Sequence, residues 1–123
     1  MLIGNFMTQS TIQPIPIQNP KVIPLPSGQE PYTKILGGPP ETTCLKSGCV
    51  ILEPGKSVGK HSTNGYEELI VPLEGEGELR LDGLEPLVIC PGQVLYTPPQ
   101  TPHDVVNTGT QPLKYIYIVA KPG

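Results

Sequence analysis

Arginine occurs once in this chain, at Arg80, and only two histidines are present, His61 and His103. The basic residues number eight, are scattered, and leave a net charge of −3. Phosphate backbones are held by clustered basic faces, so nucleic acid is excluded as an expected partner. No apolar run approaches the ~20 residues that span a bilayer, so no membrane-spanning helix is expected within these residues. No basic residue precedes Lys21 and the first residues carry no apolar leader core, so no secretory signal is expected and the chain is read as cytoplasmic. Cysteine is sparse: Cys44, Cys49 and Cys90 show no CxxC spacing, and free thiols are expected rather than disulfide staples.

The chain also lacks room for helices. No stretch free of both proline and glycine exceeds nine residues in the 123. Proline costs a helix interior about 3 kcal/mol and glycine about 1 relative to alanine. With 17 prolines and 14 glycines, but 37% hydrophobic and only 15% charged residues, the composition is that of a compact all-β domain. Disordered chains show the reverse balance of charge and apolar content.

What is present falls into two textures. Residues 1–31 carry Pro14, Pro16, Pro20, Pro24, Pro26 and Pro31, interleaved with Ile15, Ile17, Val22, Ile23 and Leu25. Proline cannot donate to a sheet ladder, so this segment is read as an extended N-terminal arm of polyproline or edge character. Residues 32–123 form the expected β-domain, with turn signals about every ten residues: Pro54-Gly55, Asn64-Gly65, Glu74-Gly75, Asp82-Gly83, Pro91-Gly92 and Thr108-Gly109. Asp82-Gly83 predicts a tight type I′ hairpin. The strands expected between them are Thr43–Glu53, Ser57–Thr63, Glu67–Leu73, Glu78–Leu81, Leu87–Cys90, Gln93–Thr97, Asp104–Asn107 and Leu113–Lys121. Glu78 to Asp82 alternates polar and apolar, placing Arg80 toward solvent. Leu113–Lys121 is apolar on both faces, as suits a strand covered by the arm or by a partner subunit.

The two histidines stand in related settings. Side chains at i and i+2 of a strand share a face, so His61 and Thr63 can face one cavity, with Glu68 reaching it from the next strand. Gly55, five residues, His61, Ser62, Thr63, four residues, Glu68, six residues and Gly75 form one pattern. Gly92, five residues, Pro98, Pro99, Gln100, two residues, His103, three residues and Asn107 form a second. Together they resemble the two motifs of the cupin superfamily, G(X)5HXH(X)3–4E(X)6G and G(X)5PXG(X)2H(X)3N. Four of five fixed positions match in each.

The resemblance implies a double-stranded β-helix, or jelly-roll, barrel holding one divalent transition metal. Its ligands here would be His61, Glu68 and His103, with Thr63 standing where the second histidine of the first motif would be. Glu67 has the wrong spacing and the wrong strand parity to be a ligand. Two histidines and a carboxylate are compatible with Fe, Mn, Ni or Zn alike. Thr63 is expected beside the site as a support or pocket residue, and Tyr96 as a pocket residue. Asn107 is expected to hydrogen-bond within a turn. No general acid or base is identifiable beyond the ligand set. The function implied is metal-dependent chemistry on a small molecule, with dioxygenase-like oxidation ahead of an isomerase, epimerase or lyase; a non-catalytic ligand-binding or sensing barrel is the reading from another class. A homodimer is expected, because the arm and both faces of the last strand need cover.

Overall fold

A computed structural model describes residues 18–123. The isoleucines Ile15 and Ile17, and the arm's first half generally, lie outside the described residues. Among the described residues there is no helix long and apolar enough to cross a membrane, and the regular structure is all β.

Nine strands run in chain order: β1 Tyr32–Gly37, β2 Lys46–Leu52, β3 His61–Ser62, β4 Glu67–Glu74, β5 Gly77–Leu81, β6 Leu87–Ile89, β7 Leu95–Thr97, β8 Pro102–Val106 and β9 Leu113–Ala120. They form two antiparallel sheets, of order β1-β2-β9-β4-β7 and β3-β8-β5-β6. From β2 to β5 and again from β6 to β9 consecutive strands alternate between the sheets, so side chains on the inner faces meet in the middle as a jelly roll.

Register sorts the interior into layers. Across the five-stranded sheet, Val50, Tyr115 and Pro72 are neighbours in one row; Gly48, Tyr117, Ile70 and Leu95 form the next. Opposite them stand Leu79 and Val105 of the four-stranded sheet. Ile70, Leu79, Ile89, Leu95, Val105, Leu113 and Tyr115 make the buried core. Each fully buried aliphatic side chain among them contributes about 1.5–3 kcal/mol through removal of apolar surface from water. The next row of the five-stranded sheet changes character: Lys46, Val119, Glu68 and Thr97. One end of the barrel is thus a closed apolar core and the other end is polar.

Several expectations are corrected. The strand expected over Ser57–Thr63 shrinks to His61–Ser62, with a single bridge between Ser57 and Val106, because Gly59 at φ +94° turns the backbone between them. Asp82-Gly83 is not a type I′ turn. Only Gly83 has positive φ, whereas that turn requires it at both central residues, and Leu79 pairs with Leu87 across a longer loop. Strand β1 was absent from the expected set; it begins directly after Pro31 and ends at Gly37-Gly38. Pro72 is tolerated inside β4 because β7 extends only to the partner of Ile70, and the β4–β9 register shifts near Tyr115.

The described part of the arm lies along its own chain. Lys114 Nζ donates to the Pro26 carbonyl at 2.9 Å, and the Ile51 amide donates to the Pro31 carbonyl at 3.0 Å. The first bond lies on the outer face of β9 and the second continues the β1–β2 ladder; Ser47, Cys49 and Ile51 of β2 are buried on the outer face of the sheet. Asn107 is the bracket at the closed end: its Nδ2 donates to the Leu52 and Gln111 carbonyls at 2.8 and 2.9 Å, and its Oδ1 accepts from the Gly109 amide at 2.8 Å.

Candidate metal centre

The two motif histidines are brought together by one ladder. His61 of β3 and His103 of β8 are direct partners across the strands, and their rings lie 4.4 Å apart between centroids, tilted by 56°. The opposite sheet supplies Glu68 from β4. Its Oε1 lies 3.0 Å from His103 Nε2, so the contact bridges the two sheets across the barrel interior.

Backbone carbonyls fix the tautomer of each imidazole. His61 Nδ1 lies 2.8 Å from the Gly59 carbonyl and His103 Nδ1 lies 2.8 Å from the Thr101 carbonyl. A carbonyl only accepts, so Nδ1 carries the proton in both rings and Nε2 of each neutral ring is a lone pair. This is how metal-ligating histidines are commonly oriented. For His103 the lone pair faces a carboxylate oxygen. The two atoms are within ion-pair distance, yet they lack hydrogen-bond geometry and neither has another partner, although both are buried. Burial alone would lower the basicity of His103; the Glu68 carboxylate, the Thr101 carbonyl and the Asp104 charge outweigh it and hold the imidazole above its ordinary value.

His61 is exposed at the mouth, beside this pair, and is the third candidate donor. Among the described residues, no three His, Cys, Asp or Glu side chains are closed into a complete metal cluster. The arrangement is a buried Glu68–His103 pair with His61 flanking it ring to ring. The donor set fits a divalent transition metal: two imidazole lone pairs and a carboxylate, two of these atoms orphaned and aimed at one region.

Thr63 lines the cavity but its hydroxyl is committed elsewhere. Oγ1 donates to the Pro98 carbonyl at 2.7 Å and accepts from the Thr101 amide at 3.1 Å. It therefore braces the Pro98–Thr101 loop, whose Thr101 carbonyl in turn orients His103. Thr63→Val should destabilise the protein by about 1–3 kcal/mol, because a buried donor and acceptor lose their partner, while Thr63→Ser should keep most of that stability. Urea unfolding of both variants tests this, and a valine variant as stable as wild type would remove the brace.

The expectation for Tyr96 is corrected. It stands between Leu95 and Thr97, whose side chains face inward, so its own faces out. Its hydroxyl donates to Glu67 Oε1 at 2.8 Å on the outer surface, and it is 57% exposed. Glu67 accordingly points away from the interior, and Arg80 is also at the surface, beside Glu78. Cys44, Cys49 and Cys90 are free thiols; Cys49 is on the outer face of β2, and burial pushes its thiol up.

The site opens into a cavity of about 310 Å³ between the sheets. Val50, Val58, Val105 and Val119 supply apolar wall, and Tyr115, Tyr117 and Tyr66 supply aromatic wall. Burial and neighbouring negative charge push the Tyr115 phenol well up; for Tyr117, burial and the hydrogen bond to Tyr32 do the same. The Tyr32 and Tyr117 hydroxyls are 2.7 Å apart, and the two rings meet over Gly48, where a Cβ would lie 2.7 Å from Tyr32 and 2.8 Å from Tyr117.

Two residues at this end escaped the sequence reading. Lys46 lines the cavity, and its Nζ lies 5.0 Å from the centroid of the Tyr66 ring. Thr97 sits directly opposite Glu68 with a buried hydroxyl that has no partner. The parity of β2 was the available signal for Lys46, since it shares a face with Gly48 and Val50. The stretch before Pro98 gave the same signal for Thr97 over Tyr96, once Leu95 is placed in the core.

Comparison with known proteins agrees with this architecture. The Cupin domain family profile matches residues 48–119. An uncharacterized protein of Methanocaldococcus jannaschii is 42% identical over 57 residues, covering 46% of this chain and 43% of that protein. Glucose-6-phosphate isomerase of Pyrococcus abyssi is 36% identical, covering 60% of this chain and 46% of the isomerase. The oxalate-binding protein of Thermotoga maritima is 34% identical, covering 55% of each chain. The chain thus spans about half the length of these relatives. Among solved structures, a Cupin 2 conserved barrel domain protein from Salinispora arenicola superposes with a TM-score of 0.66 at 21% identity, covering 85% of this chain and 91% of that one. With the family profile spanning more than half of its length and the two-sheet barrel matched in solved structures, this chain belongs to the cupin family.

Proposed function

We propose that this protein is a metal-dependent enzyme that oxidises a small polar molecule with dioxygen, dioxygenase-fashion, in the cavity between its sheets. One observation carries the reading: His103 Nε2 and Glu68 Oε1 are buried 3.0 Å apart with no hydrogen-bond partner. With His103 neutral both atoms are acceptors in a low-dielectric interior, and a shared cation, a metal or a proton on Nε2, satisfies both. His103, Glu68 and the flanking His61 would hold Fe, Mn, Ni or Zn, a set that leaves coordination positions open. When bound, the metal would supply Lewis acidity and, if redox-active, a centre for oxygen chemistry.

The chain's own residues supply the rest. The Gly59 and Thr101 carbonyls keep both Nε2 lone pairs available, and Val50, Val105 and Val119 line the cavity beside them. The Tyr115 and Tyr117 phenols, held protonated, act as donors rather than bases. Beyond His61, Glu68 and His103, the described cavity lining holds no group that ionises near neutral pH; isomerisation or elimination would need one as a base, and this favours oxidation. The isomerase and oxalate-binding relatives keep metal-assisted isomerisation and simple ligand binding as the competing outcomes.

The test is elemental analysis of the protein as purified and after reconstitution with each metal, followed by oxygen uptake with a panel of small polar substrates. Expected are stoichiometric metal and substrate-dependent oxygen consumption that a chelator stops. Protein that takes up none of the metals overturns the reading, and metal-loaded protein that converts isomers without consuming oxygen replaces it.

A further inference from the structure

We infer that the cavity selects a small anion, bearing a carboxylate or phosphate, and that Lys46 is the residue that grips it. The inference rests on reading this cavity as the working site, and it concerns the end of the cavity away from the histidines.

Lys46 begins β2 and faces inward with Gly48 and Val50. In the ladder it neighbours Val119, which neighbours Glu68. Two strand spacings thus separate Lys46 from Glu68, ~10 Å between backbones. That span suits a compact ligand with one end toward the histidines and the other toward the ammonium. The stem of Lys46 is packed rather than loose, because Gly38, at φ +88°, leaves room where a Cβ would lie 3.1 Å from its Cγ and Cε.

The charge of Lys46 is uncommitted. Among the described residues no carboxylate lies within ion-pair distance of it, and its Nζ instead rests over the Tyr66 ring at 5.0 Å. A cation on an aromatic face is held more weakly than a cation hydrogen-bonded to an anion. An arriving carboxylate or phosphate therefore takes the ammonium from Tyr66 without breaking an ion pair. The other cavity-lining charge is Glu68, which repels anions until a cation offsets it, so Lys46 gives the cavity its preference for negative ligands. Lys46 is exposed at the edge of the cavity, so an anion reaches its ammonium directly from solvent.

Isothermal titration of malonate, inorganic phosphate and the uncharged analogue malonamide tests this. It is run on wild type, Lys46→Met and Lys46→Arg, each metal-free and zinc-treated, with zinc measured by elemental analysis. Wild type should bind malonate, phosphate or both, and malonamide at least about tenfold more weakly. Lys46→Met should lose roughly ten- to hundredfold in anion affinity, Lys46→Arg should retain most of it, and zinc content should not differ among the three. Equal anion affinity in wild type and Lys46→Met, equal affinity for malonate and malonamide, or no anion binding to wild type each overturns the inference. Lys46-dependent anion binding in protein that takes up no zinc would sink the metal reading and leave this one standing; zinc uptake with anion binding indifferent to Lys46 would do the reverse.

Discussion

Glu68→Gln should abolish high-affinity metal binding while leaving the metal-free fold as stable as wild type, or more so. The glutamine is nearly isosteric, so the β4 row Lys46–Val119–Glu68–Thr97 keeps its packing. Its amide can turn a donor toward His103 Nε2, 3.0 Å from the present oxygen, giving both orphaned atoms a partner. What it loses is the anionic donor. Removing a partner that merely orients a ligand costs ten- to a hundredfold in metal affinity, so removing a ligand should cost about a hundredfold or more. Thermal unfolding with and without added zinc reads both halves: wild type should shift upward with metal, whereas the variant should start level or higher and not respond. His103→Ala should lose metal as well but also lose stability, by about 3–5 kcal/mol, because it leaves a nearly buried carboxylate uncompensated. Metal-induced stabilisation that survives Glu68→Gln would remove Glu68 from the ligand set.

The second large effect is in the backbone. Gly75→Ala should destabilise by about 3 kcal/mol or more, while Gly55→Ala should cost only about 1–2. Both glycines have φ +82°, so the conformational penalty is shared. They differ in surroundings: a Cβ on Gly75 would lie 2.3 Å from the Pro112 carbonyl oxygen, whereas nothing lies within 4 Å of one on Gly55. The obstacle at Gly75 is backbone, which cannot swing aside as a side chain does. It is the entry to β9, and moving it would disturb the ladder that carries Tyr115, Tyr117 and Val119 along the cavity. Chemical denaturation of the two variants side by side measures the difference. Equal costs would show that the close approach at Gly75 relaxes freely.

The two glycines occupy equivalent ends of the first sequence pattern, yet spacing alone treats them as interchangeable. Gly55 serves a surface turn and Gly75 a close approach of two chain segments. A similar limit applies around the site. The order and spacing of His61, Glu68 and His103 were legible because strand parity and turn frequency are local properties. Parity also placed Glu67, Arg80 and Glu68 on their observed sides. Tyr96 was misplaced because its face depends on which neighbour enters the core, and Leu95 does so through pairing with Ile70 of a distant strand.

The sequence by itself determined an all-β chain, because proline and glycine leave no helix-length segment; the barrel was implied by the resemblance of its two motifs to those of the cupin superfamily. The same resemblance named His61, Glu68 and His103 as candidate donors. Only the tertiary structure decided how they meet. His61 and His103 become ladder partners 42 residues apart in the chain, and Glu68 approaches from the other sheet. The tertiary structure also decided that the Thr63 hydroxyl is spent on a loop, and that Lys46, outside both motifs, faces the cavity with its charge unpaired. Those outcomes depend on register between strands far apart in sequence, which is set when the two inner faces pack together and not by residues adjacent along the chain.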